Sequence, residues 1–61
     1  MAQITTKELG SLSDLLTMEE NLIAKYNQYA CESSDTALKS LYEQTATKHK
    51  RHFDTMSSNL K

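Results

Sequence analysis

With 61 residues and a mass of 6.9 kDa, the chain is at most one small domain, a size that usually needs a disulfide, a metal or a partner subunit. A single cysteine, Cys31, leaves no intrachain disulfide and no Cys-rich zinc site, and one glycine with no proline denies a β-sandwich or barrel its turns and excludes glycine-rich nucleotide loops. Seven Lys and Arg against eight Asp and Glu give a net charge of −1, with no surplus to attract nucleic acid or anionic lipid.

The chain opens on a polar segment, MAQITTKE, without the apolar stretch of a secretory signal, so the expectation is an intracellular protein. One unpaired cysteine fits a reducing compartment. A mean hydropathy of −0.63 and the lack of a long apolar run exclude a membrane span. The first helix starts at a capping box, Thr5-Thr6-Lys7-Glu8, flanked by Ile4 and Leu9 at the staple positions. Gly10 weakens its first turns, and Ser11 or Ser13 offers a later start. The pattern predicts helix 1 over about 6–32, a polar break at Ser33-Ser34-Asp35, and helix 2 over about 36–59 with Asp35 as N-cap. So short a break makes the helices antiparallel neighbours in one hairpin domain spanning residues 1–61.

On a helical wheel at about 100° per residue, Leu9, Leu12, Leu15, Leu16, Leu22, Ile23, Tyr26, Tyr29 and Ala30 surround Glu19. On helix 2, Leu38, Leu41, Tyr42, Thr45, Ala46, His52, Phe53, Met56 and Leu60 surround His49. One acid and two imidazoles therefore occupy positions where leucine is expected. Counted from the middle of the break, Glu19 and His49 lie about 14.5 and 15.5 residues away, so each stands about 22–23 Å from the turn on facing helices. His52 is one turn further out, and Tyr26 and Tyr42 form the next layer toward the turn.

Each apolar arc spans about 160°, too wide for a two-helix seam, and the expected architecture is all-α: an antiparallel hairpin that dimerises into a four-helix bundle. A two-fold axis near mid-hairpin, or a parallel dimer, would merge the two Glu19–His49–His52 clusters.

Ferritin-like di-metal bundles use a lone Glu from each of two helices and Glu-x-x-His from the other two. Here Glu19 takes the lone-Glu place, and His49-Lys50-Arg51-His52 supplies His-x-x-His, whose i, i+3 spacing puts both rings on one face. Glu19 and Tyr26 keep a Glu-x6-Tyr spacing. The stretch Glu19-Glu20-Asn21-Leu22-Ile23-Ala24-Lys25-Tyr26-Asn27, the turn Glu32-Ser33-Ser34-Asp35, Leu38 and the His49…Phe53…Met56 end resemble the coat F family over roughly residues 8–60. The resemblance implies a short ferritin-like protein of the bacterial spore coat, with other coat proteins as partners. The departure from the di-iron pattern matters. A dimer would offer two carboxylates where a di-iron pair uses four, and imidazole-rich sets suit zinc, copper, nickel or a single iron. Oxidase and iron-storage activity are accordingly not carried over.

Two readings of the cluster stay open. In one it is a structural polar group, with Glu19 neutralised by His49 to fix register, and the protein is not an enzyme. In the other, Glu19, His49 and His52 from both subunits hold a divalent metal, zinc or iron, in a bundle with redox potential at its tyrosines. The second imidazole favours a metal, whereas the lack of evident acids behind the histidines disfavours one. A third reading is an adaptor docking on another protein's helices. The run Lys48-His49-Lys50-Arg51-His52 is split by the wheel, histidines inward and cations outward, so nucleic acid is not an expected partner. Cys31, about 120° from Glu19, is either a border residue or an exposed thiol.

Overall fold

The computed structural model describes residues 4–59. Two α-helices, α1 (Thr6–Glu32) and α2 (Thr36–Ser58), form an antiparallel hairpin about 47 Å long. Leu60, assigned above to the apolar arc, lies outside the described residues. None of the described residues is in a strand.

Each helix begins where local chemistry supplies a cap. The Thr5 hydroxyl oxygen accepts the Glu8 backbone N–H at 3.1 Å, and the Glu8 carboxylate accepts the Thr5 N–H at 3.2 Å and the Thr5 hydroxyl at 2.8 Å. These reciprocal bonds satisfy donors that the first turn leaves free. They also hold the Glu8 carboxyl below the usual carboxylate range, chiefly through the hydroxyl and then through the backbone N–H. At α2, Oδ1 of Asp35 accepts the Leu38 N–H at 2.9 Å.

The turn needs no glycine because no described residue adopts a positive φ. Ser33 (φ −77°, ψ 131°) and Asp35 (φ −86°, ψ 117°) are extended. The Ser33 N–H closes α1 on the Tyr29 carbonyl at 3.0 Å, and its hydroxyl donates to the Asp35 carbonyl at 3.2 Å. Two extended cap residues, Ser33 and Asp35, separated by Ser34 alone, thus replace the left-handed glycine that often ends a helix.

Packing between the helices is thin. Among the described residues the only buried apolar side chains are Ala30 and Ala46, and the third buried residue is Glu19. Leu12, Leu16, Leu22, Ile23, Tyr26, Tyr42, Phe53 and Met56 are half-buried, and Leu9, Leu15, Met18, Tyr29, Leu38 and Leu41 are exposed. Most of the exposed set shares one side of the hairpin, with Leu9, about 80° to the other side of Glu19, set apart from it. At about 100° per residue, Leu15, Leu22, Tyr29 and Met18 fall about 40–100° to one side of Glu19, and Leu38, His52 and Leu41 fall about 20–80° to the same side of His49. In an antiparallel pair those two sides form one face of the hairpin. Tyr29, Leu38 and Tyr42 accordingly line a single shallow depression beside the turn. The opposite face carries Glu20, Ala24 and Lys50 at the rim of Ile23 and Phe53. Thr45, on the apolar face, donates its hydroxyl to the Leu41 carbonyl at 2.9 Å, so its polar atom is already satisfied there.

Candidate functional site

Glu19 stands at the midpoint of α1 and is the one buried polar residue among those described, its side chain 7% exposed. A carboxylate so placed must be partnered, because desolvation penalises its charged form. The partner comes from α2. Nδ1 of His49 lies 2.9 Å from Oε1 of Glu19, with the imidazole 23% exposed. An ionised carboxylate only accepts, so in this contact Nδ1 of His49 carries the proton.

The second imidazole reaches the other oxygen. Nδ1 of His52 lies 3.2 Å from Oε2 of Glu19, although this side chain is 56% exposed. The approach is close but misaligned, and Oε2 remains buried without a hydrogen-bond partner. Glu19 is therefore satisfied on one oxygen and unsatisfied on the other. One ligand atom from each of Glu19, His49 and His52 falls within 4.8 Å of the rest.

Aromatic rings fix the site on its turn side. The Tyr26 ring runs parallel to that of His49 (interplanar angle 7°, centroids 6.1 Å apart), and His49 meets His52 edge-on at 5.9 Å. Tyr26 in turn packs against Tyr42 at 6.1 Å and edge-on against Tyr29 at 5.8 Å, while Tyr29 and Tyr42 lie 5.4 Å apart. The plane of His49 is thus set by Tyr26 rather than by a further acid, and the group of Glu19, His49 and His52 holds one carboxylate.

All three residues singled out from the sequence meet within one chain. Glu19 and His49 do so as the register requires. Sequence reasoning grouped His52 with Glu19 and His49 but set it one turn further out, and did not foresee that it reaches the second oxygen of the same carboxylate. The signal was available in helix geometry, because side chains lean toward their helix N-terminus. Glu19 leans away from the turn and His52 leans toward it, which closes the gap. The stacking of Tyr26 on His49 was also unforeseen beyond its place in the adjacent layer.

The remaining candidates lie apart from this site. Lys50 pairs with Asp54 at 3.6 Å on the surface, both side chains mostly exposed, an arrangement worth little. Cys31 is an exposed free thiol near the turn, about 120° round from Glu19 and away from the apolar face. No described helix is long and apolar enough to cross a membrane. The chain matches no family model, curated protein or solved structure. The resemblance to the coat F family therefore rests on the quoted residues alone.

Proposed function

We propose that this chain is a structural, non-enzymatic protein whose hairpin pairs with a second copy to form a ferritin-like four-helix bundle. The observation that carries this reading is the apolar face of Leu15, Met18, Tyr29, Leu38 and Leu41, left exposed on a hairpin whose buried apolar residues, among those described, are two alanines. Two alanines do not supply a core for a chain of this size, and a helix pair normally gains its stability by burying such a face. A second copy is the occupant that fits. The face spans Leu15 to Tyr29 on α1 and continues onto the first two turns of α2 at Leu38 and Leu41, and a two-fold axis through its middle sets each apolar residue against the same face of its mate. Glu19, at the centre of α1, then lies near that axis, and a buried acid–imidazole group there fixes register at some cost in stability.

The resemblance to the coat F family supports a place in the bacterial spore coat, where other coat proteins would be further partners. Pairing is tested by the concentration dependence of the thermal midpoint. A coupled folding and dimerisation equilibrium raises the midpoint with protein concentration, and a midpoint independent of concentration contradicts the reading. The coat role is tested by fractionating spores of the source organism. Recovery in the coat fraction supports it, and confinement to the soluble core opposes it.

A further inference from the structure

We propose that Glu19, His49 and His52 of a single hairpin form a mononuclear site for a divalent transition metal of the zinc class. The site is complete in one chain and does not depend on the pairing of hairpins.

Four observations converge on it. The donor set is two imidazoles and one carboxylate, the composition that holds zinc in sites with an open position and iron in facial triads. The donors come from both helices, with His49 and His52 on one face of α2 and Glu19 opposite. Their separations suit an ion. A tetrahedral metal with bonds of about 2.0–2.1 Å sets its ligand atoms about 3.3–3.4 Å apart, and the two Nδ1–carboxylate distances are 2.9 and 3.2 Å. These two contacts, made to different oxygens of Glu19, must open by a few tenths of an ångström on binding, and all three donor atoms lie within 4.8 Å of one another, within reach of side-chain torsions.

The fourth observation separates a metal site from a plain ion pair. Oε2 is buried and receives no hydrogen bond, although Nδ1 of His52 is 3.2 Å away. A hydrogen bond demands that the N–H point at the oxygen, whereas ligation demands that both lone pairs point at a third centre. Close approach without alignment fails the first requirement and leaves both atoms available for the second. A register-fixing pair would need only His49. His52 adds a second nitrogen whose exposed side leaves a path for the ion and a coordination position open to water.

On binding, the metal takes the place of the proton between His49 and Glu19. That proton moves through solvent to Nε2 of the same ring, and the Nδ1 lone pair is freed for the ion. The imidazole stays neutral, the carboxylate stays ionised, and no redox change is involved. Tyr26, parallel to His49, holds the ring plane that aims this lone pair.

The test uses the untagged full chain, stripped with a chelator and titrated with zinc by calorimetry. Cobalt(II) serves as a second probe because its visible absorption reports tetrahedral coordination. The expected result is one zinc per chain, an intense cobalt band that zinc displaces, and a higher thermal midpoint in zinc. His52→Ala, at a mostly exposed position, should keep the far-ultraviolet helical signal and weaken zinc binding at least about 100-fold, beyond the cost of disturbing an outer-shell partner. Glu19→Gln, which preserves side-chain shape, should do the same, and Lys48→Ala should leave binding unchanged. Absence of saturable binding, undiminished binding in a folded His52→Ala chain, or one metal shared by two chains would each overturn the proposal. Sedimentation of the metal-free chain tells a failure of the pairing apart from a failure of the site.

Discussion

Nδ1 of His52 lies 3.2 Å from Oε2 of Glu19 and yet gives it no hydrogen bond. In a hairpin with so little buried apolar surface, that half-satisfied carboxylate is the strongest departure from ordinary helix packing. It ties the one acid on the apolar face of α1 to both histidines of α2.

The two histidines should differ in what they contribute to the metal-free fold. His49→Ala removes the donor on Oε1 and leaves the buried carboxylate without any hydrogen bond, an expected loss of about 1–3 kcal/mol. His52→Ala removes a mostly exposed side chain that makes no hydrogen bond, with an expected change within about 0.5 kcal/mol. Urea denaturation in the presence of chelator measures both. Equal losses would mean that His52 bears on Glu19 more directly than its alignment indicates.

Gly10 is an independent test of the helix itself. A Cβ built at this position meets nothing within 4 Å, and the residue lies in the second turn of α1. Gly10→Ala should therefore stabilise the protein by about 0.5–1 kcal/mol through the unfolded chain's lost freedom. Asp35→Ala removes the acceptor for the Leu38 N–H and should cost about 1 kcal/mol. Thermal melts of the two variants at equal protein concentration should move in opposite directions.

How much of this was legible in the sequence follows from the range of each interaction. Both helix starts were, because Thr5, Glu8 and Asp35 bond to backbone groups three residues away and need no tertiary context. The meeting of Glu19 and His49 was, because a three-residue break fixes an antiparallel register and both positions centre on apolar arcs. The contact of His52 with the same carboxylate was not, because wheel and register locate Cα atoms while side-chain lean decides which tips meet. Nor was the division of the apolar residues into half-buried and exposed sets. One broad arc serves both the partner helix and the outward face, and periodicity does not say where one ends.

The capping box predicts a local pH dependence. Bonds from Thr5 hold the folded Glu8 carboxyl below its unfolded value, so its contribution is fully present above the unfolded value. That contribution is lost as pH falls through the folded value. Amide exchange in the first turn of α1 should accelerate on acidification, and the acceleration should be absent in Glu8→Gln, which keeps an acceptor but does not titrate. An identical acid response in that variant would assign the effect to other carboxylates.

The apolar face makes a prediction that an isolated hairpin does not share. An exposed leucine changed to glutamate in a monomer moves stability within about 0.5 kcal/mol. If Leu41 lies in a seam between two copies, Leu41→Glu buries a charge there and should weaken association about 100-fold or more. Cys31 points away from that face and is exposed, so its alkylation rate should stay the same on association. Protection of Cys31 would place the seam on the other side of the hairpin.

Sedimentation equilibrium of the metal-free full chain at micromolar concentration tests the pairing of hairpins most directly. The expected mass is twice the 6.9 kDa of one chain, with Leu41→Glu shifted toward the single-chain value. A stably helical species of 6.9 kDa across that range would contradict it, because the face of Leu15, Met18 and Leu41 would then need no second copy.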